Sequence, residues 1–327
     1  MMRQKSMIQP LVSILMPAYN ADPYIEKAID SILNQSYRNI ELLICNDGST
    51  DNTIGKINNY KDNRIKLYDN EINIGNLRTI NKLFSLCVGD FITFQDADDW
   101  SDESRIEMQL NCFHEAPRIS ACGTQSVKFM DCNKIIEKSK FFLTHADIYK
   151  AMPKDFSFQC SSVMIKREVY ECIGGFPEFF DKKGGADWYW VSLIINRFEF
   201  VNLSQCLYYY RYNQNSITNR KPISCDNYII GRVVVFLIQQ RRAYGSDGLM
   251  QGGVLADELF KYIGGLESEY LSDAGLLMRQ YGIRLFFHKK YLQCFFVLMK
   301  NLLLYPVSSV IWYIKLLLKI SIRIFLR

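Results

Sequence analysis

The chain reads FITFQDADDW from Phe91 to Trp100, and this stretch predicts a strand with a charged site directly behind it. Its first four residues are β-branched or aromatic and follow a Gly-Asp pair typical of a turn, which indicates a buried strand. Three carboxylates then fall within four positions, at Asp96, Asp98 and Asp99. Like charges held this close repel each other and raise each other's pKa. Mg²⁺ or Mn²⁺ would remove that repulsion, so we predict a metal–diphosphate site with Asp98 as its chief ligand and Asp96 beside it.

The competing interpretation of this stretch is a solvated acidic turn in which Asp99 or Ser101 caps the next helix. An isolated D-x-D pattern favours that interpretation. The rest of the chain favours the metal site, because polar side chains also follow two other predicted strands. Tyr19-Asn20 comes after the first of them, and Asp47 comes after the second.

Strand-like and helix-like segments alternate along the first part of the chain, with strands predicted at Val12–Met16, Ile40–Cys45 and Arg64–Tyr68. This alternation predicts right-handed crossovers and a parallel sheet with helices on both faces. Ligands of such sheets gather outside the carboxyl ends of the strands, so the polar groups that follow the strands are expected to line one crevice. No G-x-G-x-x-G pattern follows the first strand, which argues against a dinucleotide site.

The composition is that of a globular protein, with 327 residues, 49% hydrophobic and 22% charged. Ten cysteines occur without a C-x-x-C pair, and the three histidines stand far apart. We therefore expect reduced, mostly buried cysteines in a cytoplasmic protein and no zinc site. The start of the chain is short and polar, so no secretory signal is expected there.

Charge is distributed unevenly along the chain. Residues 281–327 carry eight cations and no acid, so a tail of +8 within a chain of +5 leaves −3 for residues 1–280. The tail is also rich in aromatic and aliphatic residues, which favours amphipathic helices lying on an anionic membrane over a nucleic-acid contact. The competing interpretation is a helix packed on the body or in an oligomer. The cations of the last part recur every fourth residue, at Lys315, Lys319, Arg323 and Arg327.

A single membrane span over Tyr291–Ile314 is the least favoured alternative for the tail, because it would bury Lys300. The uncharged run between Lys300 and Lys315 has fourteen residues. At about 1.5 Å each these fall short of a hydrocarbon core of about 30 Å.

Seven segments occur in the order found in one known family. They are Ser13–Asn20 (SILMPAYN), Ser31–Tyr37 (SILNQSY), Asn46–Asp51 (NDGSTD), Asn73–Asn81 (NIGNLRTIN), Asp96–Asp99 (DADD), Gly174–Phe176 (GGF) with Asp187, and Tyr210–Ser216 (YRYNQNS). Together they resemble the inverting glycosyltransferases of family 2, which have the GT-A nucleotide-sugar fold. The resemblance extends over about two thirds of the chain.

The resemblance implies a nucleotide-sugar donor, usually a UDP-sugar. Asp47 would accept a hydrogen bond from the base, and Arg78 would reach the diphosphate. The alternatives are an Asx turn for Asp47 and a surface ion pair for Arg78. Tyr19 would stack on the donor or else pack into the core. The implied donor and metal site comprises Pro17, Ala18, Tyr19, Asn20, Asp47, Arg78, Asp96, Ala97 and Asp98.

The resemblance places the general base at Asp187, within the segment GGADWYW from Gly184 to Trp190. A carboxylate there would take the proton of the acceptor hydroxyl. A capping role at a helix N-terminus is the alternative for Asp187. Trp188 and Trp190 are expected either to stack on sugar rings or to pack as ordinary half-buried aromatic residues.

Three positions depart from the family pattern. Asn46 replaces a first aspartate, which matters little if Asp47 pairs with the base. Ala186 replaces the glutamate that commonly precedes the base, and this loss affects the orientation of the acceptor. Asn213 stands at the position of a common histidine, so the contact of that histidine near the diphosphate would be made differently.

The predicted fold class is α/β: a GT-A fold with a mostly parallel, Rossmann-like sheet flanked by helices. Residues 1–110 are expected to bind the nucleotide sugar, and 111–219 to form the acceptor and catalytic half of the same domain. A helical extension is predicted at 220–280, followed by the basic amphipathic tail at 281–327.

The predicted function is metal-dependent, inverting transfer from a nucleotide sugar to a glycan or lipid-linked acceptor. The resemblance implies bacterial capsule or lipopolysaccharide synthesis, and the basic tail favours a position on the cytoplasmic face of the membrane. The oligomeric state stays open. One alternative is a catalytically decayed nucleotide-sugar-binding scaffold at the membrane. The other is a nucleotidyltransferase, which would need a Gly-rich loop after the first strand that this chain lacks.

Overall fold

The computed structural model describes residues 9–130, 134–212, 224–287 and 290–314. The chain divides into two compact units, residues 1–216 and 217–327. The predicted functional boundaries at residues 110, 219 and 280 stay predictions. Asn213 and the cations from Lys315 onward lie outside the described residues.

The described part of the first unit is built on one mixed sheet with the strands β1 Val12–Ala18, β2 Ile40–Asp47, β3 Ile65–Asn70, β4 Phe91–Phe94, β5 Trp100–Ser101, β6 Ile119–Phe129, β7 Ile135–Lys138, β8 Met164–Lys166 and β9 Glu199–Arg211. The strand order is β3-β2-β1-β4-β8-β6-β9-β5, and β7 pairs with β6 off this path. Strands β1 to β4 run parallel to their neighbours in that group, as the alternating pattern predicts. Beyond β4 the sheet is mixed, because β8 returns antiparallel to β4 and β6, while β6 and β9 are parallel.

Helices cover the sheet and supply its core. All eight residues of β2 are buried, as expected for a central parallel strand with both faces covered. The first helix buries Ile25, Ala28, Ile29 and Ile32 at helical spacing. The helices of this unit are α1 Ile25–Leu33, α2 Thr53–Asn58, α3 Asn76–Leu86, α4 Arg105–Glu115, α5 His145–Ala151, α6 Arg167–Ile173 and α7 Ala186–Arg197.

A buried carboxylate joins the strands at the amino end of the parallel group. Glu41 of β2 is 4% exposed and accepts hydrogen bonds of 2.5 Å from Ser13 Oγ and 2.5 Å from Lys66 Nζ. The backbone N–H of Val88 donates a third bond of 2.8 Å. Burial alone would raise the pKa of Glu41, but these three donors lower it below its usual value. Glu41 thus holds β1, β2, β3 and the loop before β4 together at the end away from the acidic turn.

The described part of the second unit is helical, as predicted for the extension. Its helices are α8 Asp226–Tyr244, α9 Val254–Ser272, α10 Leu276–Phe287 and α11 Tyr291–Leu304, and the backbone is helical again at 306–314. The rings of Phe236 and Tyr262 stack between α8 and α9 at 4.3 Å. Within the described residues, none of the helices has the combination of length and hydropathy needed to cross a bilayer.

Candidate active site

The strand order brings the carboxyl ends of β2, β1 and β4 side by side, as the sequence predicts. The loops after β1 and β2 are bonded to each other through Asn20. Its N–H donates to Ser49 Oγ at 3.0 Å, and its Oδ1 accepts from the N–H of Thr50 at 2.8 Å. Asn20 adopts a left-handed backbone with φ of 49°, a conformation that asparagine tolerates better than most residues. Asn20 therefore holds the rim of the crevice in shape.

The walls next to this rim differ in exposure. Tyr19 is 46% exposed and so is not part of the core, contrary to the packing alternative for this residue. Pro17 is half-buried, and Ala18 and Ala97 are buried. The Tyr19 ring is therefore a free aromatic surface at the end of β1.

Asp47 is buried and anchors the chain that enters α3. Its Oδ1 accepts from Asn70 Nδ2 at 2.8 Å and from the N–H of Ile74 at 2.9 Å. Its Oδ2 accepts from the N–H of Gly75 at 2.9 Å. Gly75 has φ of 95°, which favours glycine. These bonds reach across to a distant loop, so the carboxylate does more than form a local Asx turn.

The acidic turn after β4 carries two half-buried carboxylates, Asp96 and Asp98. Burial and then the charge of Asp98 raise the pKa of Asp96 to about 6, while a hydrogen bond of 2.5 Å from Ser161 Oγ opposes the shift. Burial also raises the pKa of Asp98, and the charge of Arg211 opposes that shift. Each residue nevertheless keeps some exposed surface. The pair therefore lies in a recess that solvent reaches. The turn is not fully solvated, in contrast to the alternative of a solvated acidic turn.

Asp187 belongs to the same recess. It lies in the first turn of α7, after Gly184 and Gly185, whose φ angles are 85° and 77°. Its charge contributes to the raised pKa of Asp96, and burial raises the pKa of Asp187 itself. Gly185 is the N-cap residue of α7, and the Asp187 carboxylate accepts a hydrogen bond of 2.8 Å from the N–H of Trp188 in the first turn of the helix, so Asp187 also has the helix-end role that was its alternative interpretation. Folding thus brings together three carboxylates from two distant segments.

The two tryptophans after Asp187 are held by protein contacts. Trp190 is fully buried, donates from Nε1 to the carbonyl of Gly174 at 2.9 Å, and packs against Phe94 and Phe176. It is therefore a core residue. Trp188 is half-buried and donates from Nε1 to the carbonyl of Met152 at 3.0 Å.

Arg78 forms the surface ion pair that the sequence left as an alternative. Its Nε lies 3.0 Å from Oδ2 of Asp181, and its side chain is 52% exposed. The pair joins the first turn of α3 to the loop before α7. A guanidinium that is half exposed keeps donors available for a further anion.

Arg211 has a role that motif reading did not assign. Its backbone N–H donates to Oδ1 of Asp99 at 2.7 Å, and its Nε donates to the carbonyl of Asp98 at 2.7 Å. The guanidinium also lies over the rings of Tyr24 and Phe129, at 4.2 and 4.8 Å. The end of β9 therefore holds the acidic turn in place. The only sequence signal for Arg211 is its place in Tyr210–Ser216, the last of the segments that resemble the family.

Tyr208 and Ser161 also escaped sequence reasoning. The N–H of Asp96 donates to the hydroxyl of Tyr208 at 3.1 Å, and Ser161 bonds the carboxylate of the same residue. Ser and Tyr are too common for any local pattern to mark them. Only the pairing of β8 with β4 brings Ser161 to this turn.

The site suits a hard divalent cation. Asp96 and Asp98 supply carboxylate oxygens that repel each other and are within reach of solvent, which is the donor chemistry that Mg²⁺ and Mn²⁺ prefer. Within the described ranges, no group of three or more His, Cys, Asp or Glu side chains is arranged to hold a metal. An ion here would therefore take its remaining ligands from water and phosphate, as Mg²⁺ usually does.

Solved structures share this fold. S. aureus TarS 1-349, crystallised in complex with UDP-GlcNAc, matches with a TM-score of 0.59 at 17% identity, over 70% of this chain and 66% of that chain. The mannosyltransferase PcManGT from Pyrobaculum calidifontis, in complex with GDP-Man and Mn²⁺, matches with a TM-score of 0.52 at 18% identity, over 93% of this chain and 83% of that chain. At these identities the likeness shows the fold alone, which is GT-A-like as predicted.

Sequence relatives are closer. The chain is 38% identical over 170 residues to an uncharacterized glycosyltransferase of Haemophilus influenzae, which covers 51% of this chain and 66% of that protein. It is 33% identical over 213 residues to UDP-Glc:alpha-D-GlcNAc-diphosphoundecaprenol beta-1,3-glucosyltransferase WfgD of Escherichia coli, which covers 64% of this chain and 81% of that protein. The family model described as "Glycosyl transferase family 2" matches residues 13–174. With its acidic turn, its GT-A-like sheet and these relatives, the chain belongs to glycosyltransferase family 2.

Proposed function

We propose that this glycosyltransferase moves a sugar from a nucleotide-diphospho-sugar to a hydroxyl of a glycan or lipid-linked acceptor, with inversion at the anomeric carbon. The observation that carries the proposal is the proximity of Asp187 to Asp96. The two are close enough for the charge of Asp187 to raise the pKa of Asp96. A candidate base thus lies near a candidate diphosphate site.

A UDP-sugar is the proposed donor. The solved neighbour TarS binds UDP-GlcNAc, and the name of the Escherichia coli relative specifies UDP-Glc. The exposed ring of Tyr19, with Pro17 and Ala18 beside it, would form the wall for base and ribose. Asp47 would accept from the base with the lone pairs that its three backbone and side-chain donors leave free.

The diphosphate would lie between Arg78 and the acidic turn. Arg78 would share its guanidinium between Asp181 and phosphate oxygens. Asp98 and Asp96 would hold Mn²⁺ or Mg²⁺, and such an ion, when bound, neutralises charge on a leaving diphosphate. The neighbour PcManGT was solved with Mn²⁺, which supports a metal of this kind.

Asp187 is the proposed general base. The acceptor oxygen would bond to the anomeric carbon while its proton passes to the Asp187 carboxylate and the bond from sugar to diphosphate breaks. Burial raises the pKa of Asp187, which makes its carboxylate a stronger base than an ordinary exposed aspartate. Ala186 leaves this base without the neighbouring acid that is common in the family.

The acceptor is proposed to be lipid-linked, and the enzyme to work on the inner face of the membrane in bacterial surface-polysaccharide synthesis. The printed name of the Escherichia coli relative includes a diphosphoundecaprenol acceptor, which supports a substrate held at a bilayer. The basic composition of residues 281–327 supports the same location. Self-association stays open.

The test is release of nucleotide diphosphate and transfer of sugar from a panel of nucleotide sugars, with Mn²⁺ or with EDTA. We expect Asp98→Ala to abolish transfer and metal-dependent donor binding. Asp187→Asn should retain donor binding in a thermal-shift assay and lose transfer by roughly 100-fold or more. Glu115→Gln, at an exposed acid at the end of α4, is the control. Normal turnover in Asp187→Asn would remove it as the base.

The second candidate is the membrane scaffold with a retained nucleotide pocket, and Ala186 is the observation that favours it. A scaffold would bind the donor in the thermal-shift assay and release no nucleotide diphosphate with any acceptor. Transfer that depends on Asp187 excludes it.

A further inference from the structure

The centre of the α10–α11 hairpin is polar. Arg279 of α10 and Asn301 of α11 are both fully buried, as is Ser309 in the helical segment 306–314. Asn301 Nδ2 donates to the carbonyl of Gly275 at 2.8 Å, and its Oδ1 accepts from Ser309 Oγ at 2.6 Å and from Arg279 Nη1 at 3.3 Å. Arg279 also pairs with Asp273. We call the contacts among Asp273, Arg279, Asn301 and Ser309 the polar pin.

The outside of the same hairpin is apolar. Only Cys294 and Asn301 of α11 are buried, although most of the helix consists of Leu, Phe, Val and Met. Leu292 is 70% exposed and Leu303 is 78% exposed. We call the exposed apolar side chains of this region the apolar face: Phe286, Phe287, Tyr291, Leu292, Phe295, Phe296, Met299, Leu303, Leu304, Val307, Val310, Ile311 and Ile314.

This arrangement reverses the usual orientation of an amphipathic helix in water. Such a helix buries its apolar stripe and exposes its polar side. Contiguous exposed apolar surface beyond a few hundred Å² is rare on soluble monomers and marks an interaction site. In a hydrocarbon medium the preference is opposite, because polar groups must find partners inside the protein while apolar ones face lipid. The polar pin and the apolar face together fit that second medium.

The charges of this region indicate what kind of partner covers the apolar face. No Asp or Glu occurs from Ala274 to the end of the chain, whereas Lys290 and Lys300 lie within the described part of this region. A second copy of this region would offer further cations and no acid to pair with them, which is unfavourable. An anionic lipid surface complements both features, since headgroups meet the cations and acyl chains meet the apolar side chains.

We infer that the apolar face inserts into one leaflet of an anionic bilayer, with the polar pin holding the hairpin together inside it. This inference extends the membrane location of the proposed function from electrostatic contact of the basic tail to hydrophobic insertion of a defined helix. It does not depend on the transfer reaction, because vesicle binding requires no donor sugar. Loss of vesicle binding would contradict the membrane inference, and loss of sugar transfer would contradict the proposed function, so the two failures can be told apart.

The experiment uses the full chain and vesicles of phosphatidylcholine and phosphatidylglycerol at roughly 3:1, with pure phosphatidylcholine for comparison. Co-sedimentation is measured at low salt and at about 0.5 M NaCl, which screens the electrostatic attraction of the tail. The test variant is Phe296→Gln with Leu303→Gln. The matched control is Val254→Gln with Leu271→Gln, two equally exposed apolar residues of α9. Since all four side chains are exposed, thermal unfolding should change little in either variant.

We expect wild type to keep vesicle binding at the higher salt, and the test variant to lose affinity by roughly 100-fold. The control variant should stay within about twofold of wild type. In addition, Leu303→Trp should be quenched by lipids brominated on the acyl chain, and Leu271→Trp should not. Equal binding of the test variant and wild type would overturn the inference, as would an unquenched Leu303→Trp. So would wild-type self-association that Phe296→Gln with Leu303→Gln abolishes in the absence of vesicle binding, because the face would then be covered by a second copy.

Discussion

Ser161 Oγ donates a hydrogen bond of 2.5 Å to Oδ2 of Asp96. This contact ties the turn before β8 to the acidic turn after β4, and it leaves one Asp96 oxygen for another partner. The bond opposes the rise in the pKa of Asp96 that burial and the neighbouring charge of Asp98 cause. The second half of the sheet thereby orients a carboxylate of the first half.

Replacement of Ser161 by alanine should weaken metal activation. Without the hydroxyl, the Asp96 carboxylate loses its orientation, and a hydrogen bond to a charged group is typically worth about 1.5–3 kcal/mol. We expect the Mn²⁺ concentration for half-maximal transfer to rise about tenfold. Isothermal titration with Mn²⁺ and donor measures this directly. Ser85→Ala, at an exposed serine of α3, is the control, and an unchanged Mn²⁺ dependence of Ser161→Ala would contradict the prediction.

Transfer should decline on the acid side at a higher pH than an ordinary aspartate would cause. Asp187 must be ionised to accept a proton, and burial raises its pKa above the usual value near 3.8. As the pH falls through that raised pKa, the base becomes protonated and kcat/KM falls. A pH profile of kcat/KM measures this acid limb. A profile that stays flat down to about pH 4 would show that no such group limits the reaction.

Arg211→Lys should impair the acidic turn although the charge is kept. Lysine lacks the planar guanidinium that donates to the Asp98 carbonyl and covers the Tyr24 and Phe129 rings. We expect about a tenfold loss in Mn²⁺ affinity together with a smaller loss of thermal stability. Arg118→Lys, at an exposed arginine paired with Glu199, is the control. If stability falls while Mn²⁺ affinity is unchanged, Arg211 is only a packing residue.

Glu41→Gln should destabilise the first unit without touching the recess. The change removes the charge that accepts from Ser13, Lys66 and the Val88 N–H. Because the Lys66 side chain is 43% exposed, the expected loss is that of hydrogen bonds to a charged group, typically about 1.5–3 kcal/mol. Urea unfolding at neutral pH measures the loss. Glu171→Gln, at an exposed acid of α6, should be nearly neutral.

The same residue sets a pH dependence of stability with a definite sign. Because the folded-state pKa of Glu41 lies below its unfolded value, its contribution is present above about pH 4.5 and is lost as the pH falls through the lower folded pKa. Glu41→Gln should therefore lose part of the acid sensitivity that wild type shows. Identical acid limbs in the two proteins would contradict this.

Local pattern was sufficient for the first part of the fold. The strands β1, β2 and β4 are mostly apolar runs that end at turn residues, and such runs identify buried parallel strands because both faces of the sheet are covered. The edge strand β3 contains Lys66 and no fully buried residue. The motif order likewise indicated the family. The hydropathy of residues 281–327 predicts contact with a membrane. It does not predict which side of α11 is buried, because the polar and apolar residues of α11 are not separated into two clear faces.

The sequence by itself determined the parallel half of the sheet, the acidic turn and the family, because these depend on neighbouring residues and on short motifs in order. Tertiary structure alone decided that Ser161 and Arg211 contact the turn Asp96–Asp99, because these contacts depend on β8 and β9 lying beside strands far away in the chain. It also decided that Trp190 is core, and that Arg78 pairs with Asp181. The arrangement of the α10–α11 hairpin was also decided by tertiary structure, because only the packing shows that Arg279 and Asn301 are buried while Leu303 is exposed.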